Sequence, residues 1–270
     1  MTWAWHWHPE VVAGLLALAA LYAAGIGPLR RRHGWAPAPD RRALAAFAAG
    51  MAVLAAAVLG PLAEWAERVA LSAHMAQHLL LTLVAPPLFL AGAPDWLLRP
   101  LLRLPGAARA GHWLTRPPVA LGLGSAALIV WHVPRFFEAA LRHEGLHALE
   151  HATLLGTALL AWWPVAGRLE AWPRPVPPAR LLYLFLGTLP MTAVAAPITV
   201  AERVLYPFYE SAAAAWPLSP RADQELAGTL MWVGGMLAYL VAGTVVFFRW
   251  ALPEVRADAE AGGAGLPEQP

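Results

Sequence analysis

The chain has 270 residues, of which 59% are apolar and only 13% are charged, and its mean hydropathy is +0.52. These values depart from a soluble globular domain towards a polytopic membrane protein with a single membrane domain. Cysteine is absent, which excludes disulfides, thiolate metal sites, cysteine-ligated clusters and a cysteine nucleophile.

Seven long apolar runs predict an all-α fold, a bundle of seven transmembrane helices. Each run is close to the length of about 20 residues that a bilayer helix needs. The opening segment MTWAWHWHPE contains no basic residue, so it lacks the charged region of a signal peptide and predicts an uncleaved first helix that begins outside. The runs cover residues 10–27, 42–62, 69–91, 117–136, 146–166, 179–201 and 223–249.

The arginines predict how this bundle is oriented. All 19 basic residues are arginines, and with the N-terminus outside, 14 of them fall in the inner connections, as the positive-inside rule favours. The C-terminus is then cytoplasmic, with a membrane domain over residues 1–252 and a small, polar, disordered tail over 253–270. Because the arginines flank apolar runs, the pI near 9.4 indicates orientation in a lipid bilayer and no nucleic-acid partner.

Eight of the ten histidines fall on the predicted outer side. His74 and His78 are one helical turn apart and share a face, and His147 and His151 repeat this spacing. Polar side chains in hydrocarbon usually face a bundle interior where something binds them, although each ring could instead hydrogen-bond a neighbouring helix. We therefore expect a metal site in the outer leaflet, with ligands His74, His78, His132, His147 and His151. The roles of His6, His8 and His143 stay open.

Several other polar residues are candidates for accessory roles. Glu150 is the one acidic residue well within a predicted span, and it adjoins His151. Asp223 begins the last span. Its carboxylate either interacts favourably with the N-terminus of that helix or orients a ligating imidazole. Met75 either packs in the hydrophobic core or provides a soft thioether ligand to a metal.

The ligand types limit which metal the site can bind, and they leave an enzymatic function as an alternative. Imidazoles without thiolates suit copper, zinc, iron or nickel, and copper is first in the divalent affinity order. Haem is less favoured, because CxxCH is absent and a larger slot would be needed. HALEH (147–151) fits the inverted zinc-protease pattern, with Glu150 as general base, whereas Gly145 interrupts the HExxH match at 143–147. A metal-dependent membrane peptidase is thus the alternative, and a metal-free scaffold is a third.

Five motifs carry a family resemblance over residues 74–232: HMAQHLLLTLVAPPLFLAGAP, WHVPRFFEAAL, HALEH with WWPVAG, RLLYLFLGTLPMTAVAA with LYPFY, and LSPRADQELAGTLMW. The chain resembles the CtaG family of cytochrome c oxidase assembly factors. Phe137 replaces the tyrosine expected in the second motif, and Ala195 and Ala196 stand where a glycine is common. The matching polar residues are His74, Gln77, His78, His132, His147, Glu150, His151, Asp223 and Gln224.

The resemblance implies a function and a location. It implies a seven-helix protein of the bacterial inner membrane that is not an enzyme and that handles copper for the haem-copper oxidase. Expected partners are oxidase subunits and an extracytoplasmic copper chaperone. In this interpretation the five histidines bind copper, while Glu150, Asp223, Gln77 and Met75 are accessory.

Overall fold

The computed structural model describes residues 9–36 and 38–263, and this part of the chain consists of helices and connections without a strand. His6 and His8 lie outside the described residues. Short helical turns at Asp95–Leu98, Arg99–Arg103 and Pro207–Ala215 connect the longer elements. These elements are α1 (Pro9–His33), α2 (Arg41–Leu59), α3 (Pro61–Arg68), α4 (Leu71–Gly92), α5 (Ala107–Leu114), α6 (Pro117–His132), α7 (Pro134–Arg142), α8 (Glu144–Ala166), α9 (Pro177–Val200) and α10 (Pro220–Gly263).

The number of membrane spans differs from the predicted seven. Within the described residues, α1, α2, α4, α9 and α10 are long and apolar enough to cross a bilayer. Helices α5 and α6 add a sixth candidate if they count as one span bent by 74°. Helix α8 has 23 residues but begins with the polar segment that contains HALEH. Five to six candidate spans are therefore observed, and the seven-span count is not confirmed.

Helix α4 is central to the bundle because it packs against α2, α3, α8 and α10. Helices α9 and α10 form the most extensive pair. Their close approach depends on Gly228, where an added Cβ would lie 2.6 Å from the backbone nitrogen of Thr199. A small residue at this crossing lets the two backbones meet, as is common between membrane helices.

The α-helical hydrogen bonding of α4 is interrupted midway along the helix, next to the sequence Ala85–Pro86–Pro87. A π-helical turn covers Leu80–Val84, directly before Pro86 and Pro87. Proline lacks an N–H, so Pro86 leaves the carbonyl of Thr82 without its usual helical donor. The indole Nε1 of Trp162 in α8 donates to that oxygen at 2.8 Å, which ties α8 to α4.

Helix α10 extends beyond the predicted end of the membrane domain. It continues through Gly263, so residues 253–263 of the stretch that we expect to be disordered are helical. This part of the chain is rich in Ala and Glu, which favour helix over coil. Residues 264–270 lie outside the described part of the chain.

Candidate metal centre

The predicted histidines meet at one end of the bundle, which we call the histidine end. Helices α4 and α8 both begin there, and α6 finishes there with His132 as its last residue. The HxxxH pairs lie in the first turns of α4 and α8, so each pair faces the other across the α4/α8 contact. Three separate stretches of sequence thus contribute rings to one cluster.

The start of α4 is fixed by a carboxylate from α10. Asp223 Oδ2 accepts hydrogen bonds from the backbone N–H groups of Leu71 (2.7 Å) and Ser72 (3.3 Å). Asp223 Oδ1 accepts from the Ser72 hydroxyl and from Trp216 Nε1 at 3.0 Å. The first N–H groups of a helix have no partner within the helix, so this carboxylate supplies one. Among the described residues, Asp223 therefore bonds to no imidazole, and it caps the helix that carries His74.

Three of the imidazoles form a row. His74 Nε2 lies 2.9 Å from His78 Nε2, and His78 Nδ1 lies 3.5 Å from His132 Nε2. All three side chains are buried, with exposed fractions of 0%, 2% and 5%. The row therefore lies out of contact with solvent, where nitrogens must find their partners within the protein.

Among the four nitrogens that form the two nitrogen–nitrogen contacts of this row, lone pairs outnumber protons. His74 Nδ1 faces the Ala66 carbonyl at 3.2 Å, and His132 Nδ1 faces the Leu128 carbonyl at 2.7 Å. A carbonyl only accepts, so each of these nitrogens carries the proton of its neutral ring. The one proton of His78 must then serve two nitrogen–nitrogen contacts. Whichever nitrogen carries it, the other contact sets two lone pairs against each other, and a bound cation would remove this repulsion.

The second HxxxH pair brings a carboxylate into the cluster. One ligand atom from each of His74, His147, Glu150 and His151 lies within 4.8 Å of the other three. Glu150 is fully buried, and neither of its oxygens has a hydrogen-bond partner in the described part of the chain. Its Oε1 lies 3.6 Å from His78 Nε2. The geometry thus groups Glu150 with the potential ligands, whereas the sequence predicts an accessory role.

Aromatic side chains cover the cluster. The Phe137 ring is fully buried and lies 4.7 Å from the His74 ring, centroid to centroid. The Tyr209 hydroxyl donates to the Ala66 carbonyl at 2.5 Å and lies 3.1 Å from His74 Nδ1. Tyr206 donates to the His132 carbonyl at 2.7 Å. Burial raises the pKa of both tyrosines above the ordinary value, so they remain neutral hydrogen-bond donors.

The covering loop is itself held by buried polar side chains. Gln224 at the start of α10 accepts from the Leu205 N–H at 2.6 Å and donates to the Arg203 carbonyl at 3.1 Å. Glu138 in α7 accepts from the Phe208 N–H at 3.0 Å. These bonds fix the position of the loop that presents both tyrosines to the cluster.

The cluster is accessible on one side, beside His147. The exposed fraction of this side chain is 13%, and its Nδ1 lies 3.8 Å from Glu67 Oε1 in α3, whose side chain is 27% exposed. A carboxylate beside one imidazole nitrogen favours the tautomer with the proton on that nitrogen and the lone pair on the other. Glu67 is thus a partly exposed carboxylate at the solvent-facing side of the imidazole cluster.

The remaining predicted residues make contacts of other kinds. Gln77 Nε2 donates to the Ala57 carbonyl of α2 at 3.0 Å, and Met75 packs in the hydrophobic core. His143 is the N-cap of α8 and has extended backbone, so of the two histidines in the HExxH match only His147 lies within the helix. Sequence reasoning missed Glu67 and the role of Tyr209, although the LYPFY motif contains that tyrosine.

Comparisons with known proteins identify the family. The chain is 28% identical over 271 aligned positions to an uncharacterized protein of Mycobacterium bovis and to one of Mycobacterium tuberculosis, covering 93% of this chain and 40% of each relative. A third uncharacterized protein, from Mycobacterium leprae, is 25% identical over 203 positions, covering 68% of this chain and 30% of that relative.

The chain therefore spans well under half the length of these curated relatives. No solved structure gives a significant match. The sequence model that describes the cytochrome c oxidase caa3 assembly factors matches residues 20–252, which is most of the chain. The chain belongs to the cytochrome c oxidase caa3 assembly factor family, Caa3_CtaG.

Proposed function

We propose that this protein binds a copper ion in the imidazole cluster and supports its delivery to the haem-copper oxidase during assembly. The observation that carries the proposal is the excess of lone pairs over protons in the two nitrogen–nitrogen contacts that join His74, His78 and His132. A cation is the partner that such a row lacks. Family membership supports the oxidase as the recipient, because the family is described as cytochrome c oxidase caa3 assembly factors.

The donor set favours copper as the cargo. Five imidazoles and one carboxylate provide nitrogen and oxygen donors, and the chain has no cysteine to contribute a thiolate. Such a set takes copper in preference to the other divalent first-row metals. The rings of His74 and His78 lie 4.3 Å apart, centroid to centroid, which leaves no slot for a haem between them. Zinc is the competing ion and serves as the comparison in the experiment below.

The buried carboxylate compensates charge in the proposed complex. Neutral imidazoles leave the full charge of a bound copper ion in a buried site, where an uncompensated charge is costly. Glu150 supplies a negative charge next to the rings, and its two oxygens have no other hydrogen-bond partner in the described residues. We propose that copper is exchanged at the side where Glu67 adjoins His147, and that this side faces outward from the bacterial inner membrane.

A metal-dependent peptidase is the second candidate, and the observation that favours it is the proximity of Glu150 to both histidines of HALEH. In that function Glu150 would act as general base towards a metal-bound water. The two functions make opposite predictions for Glu150→Gln. A peptidase variant would retain its metal and lose turnover, whereas an assembly factor would bind copper less tightly and show no turnover to lose.

The test is metal analysis of the purified chain after exposure to equal copper and zinc. We expect about one copper per chain, as one closed ligand set provides, and a large loss of copper in His74→Ala and in His151→Ala. His112→Ala is the matched control, because this histidine lies in α5 and is exposed. Unchanged copper content in both site variants would refute the proposal. Assembly of active oxidase in cells that carry His78→Ala would instead support a metal-free scaffold.

A further inference from the structure

A second site-like feature lies at the end of the bundle opposite the histidines. A cleft of about 820 Å³ opens there between α4, α8, α9 and α10. Its walls are apolar along most of their length and include Leu88, Val241 and Val245. The volume of the cleft therefore falls within the range of about 300–1,000 Å³ that is common for ligand pockets.

Three arginines from separate elements border this cleft: Arg168, Arg180 and Arg249. Helices α4, α8 and α10 run from the histidine end towards the cleft, while α9 begins beside it. Arg168 follows the end of α8, Arg180 lies in the first turn of α9, and Arg249 lies about 39 Å along α10 from Asp223 at 1.5 Å per residue. The chain direction therefore brings all three charges to the same end of an otherwise apolar cleft.

The three guanidinium groups are available to a ligand. None has an ion-pair partner among the described residues. Arg180 is held in place because its Nε donates to the Pro175 carbonyl at 2.7 Å, and its side chain is partly buried against the cleft. Arg168 and Arg249 are exposed. Guanidinium groups match the oxygens of a phosphate in geometry and charge, so this end of the cleft is complementary to an anionic head group.

We propose that the cleft binds an anionic phospholipid, with its phosphate against the three arginines and an acyl chain along the apolar wall. Basic pockets between membrane helices bind anionic head groups in this way. A free anion would leave the apolar wall uncovered, and a zwitterionic lipid would leave the excess positive charge uncompensated. The combination of wall and charges therefore selects an amphiphile with net negative charge.

Native mass spectrometry of the full chain in detergent tests this proposal. The chain is titrated with phosphatidylglycerol and, separately, with phosphatidylcholine of the same acyl chains. We expect tighter binding of phosphatidylglycerol, and a loss of about fivefold in its affinity for each of Arg168→Gln, Arg180→Gln and Arg249→Gln. Arg103→Gln removes an exposed arginine outside the cleft and should leave the affinity unchanged.

A second variant tests the apolar wall without changing charge. Ala242 lines the cleft, so Ala242→Phe should reduce binding of both lipids. Equal binding of the two lipids by the unaltered chain would overturn the proposal, as would an effect of Arg103→Gln equal to that of the cleft variants. Displacement of phosphatidylglycerol by an equal concentration of inorganic phosphate would indicate a free-anion site instead. A dimer that Ala242→Phe dissociates would show that a second copy of the chain occupies the cleft.

Discussion

Removal of the Asp223 carboxylate should destabilise the fold and displace the start of α4. In Asp223→Ala the N–H groups of Leu71 and Ser72 and the indole of Trp216 lose their acceptor, and the Ser72 hydroxyl loses its partner. Side-chain hydrogen bonds between membrane helices contribute about 0.6 kcal/mol each, and bonds to a charged acceptor about 1.5 kcal/mol or more. The four bonds together predict a loss of about 2–6 kcal/mol in the free energy of unfolding.

Asparagine at position 223 should cost much less, because its single carbonyl oxygen can replace Oδ2 and keep both backbone bonds. Its amide then faces the Ser72 hydroxyl, which can rotate to accept, and the Trp216 N–H, which cannot. The cost of Asp223→Asn is therefore one lost bond plus one donor–donor contact, about 1–2 kcal/mol. In a Trp216→Phe background this contact disappears, so Asp223→Asn should become nearly neutral there.

Unfolding of the detergent-solubilised variants, followed by circular dichroism, measures this double-mutant cycle. The expected coupling between Asp223→Asn and Trp216→Phe is about 1 kcal/mol, which exceeds the scatter of about 0.3–0.5 kcal/mol for independent sites. Additive effects of the two substitutions would refute the proposed geometry. An Asp223→Ala variant as stable as the unaltered chain would refute the assignment of this carboxylate as the cap of α4.

Three further predictions concern the site and its support. Tyr209→Phe removes the hydroxyl beside His74 Nδ1 and should weaken copper binding about tenfold in a competition titration; unchanged affinity would contradict its role. Gly228→Ala forces a methyl group onto Thr199 and should lower stability by about 1–3 kcal/mol, whereas Gly122→Ala, with open space at its Cβ, should not lower it in the same melting assay. Copper at about 100 times its Kd should stabilise the fold by about 2.7 kcal/mol, and a chelator should reverse this; a melting temperature independent of copper would show that the ion does not bind the folded chain.

The hydrophobic runs predict the helices well, but they predict the number of spans less well. An apolar run defines where a helix is stable, so each predicted run has an observed helix over most of its length, although the run 117–136 is divided at Val133 between α6 and α7. The count differs because α8 begins with polar residues, and because α6 meets the length criterion only together with α5, across a bend of 74°. Helix α8 tolerates HALEH because α4 and α3 supply polar neighbours for these side chains. The orientation of the bundle stays a prediction.

The HxxxH spacing predicts which rings share a face, and it cannot predict what they face. Convergence of His132 with the two pairs depends on how α6 packs against α8 and on where α6 ends, at the residue before Val133 and Pro134. Glu67 was not predicted from the sequence because it lies on a short helix without a histidine. Tyr209 was not predicted because it lies in a connection, where residue spacing does not define a face.

The packing below the imidazoles constrains how the proposed cargo can move. Leu128, one turn before His132, borders a cavity of about 50 Å³ that is also lined by Thr82, Ser125 and Thr157. Trp162 and Met191 also line this cavity and belong to the buried hydrophobic core, so a path through it offers a copper ion no charged partner. An ion would lose most of its ligands on that path, at a cost of many kcal/mol. Copper in the proposed site must therefore enter and leave at the histidine end, so donor and recipient would approach the same face of the protein.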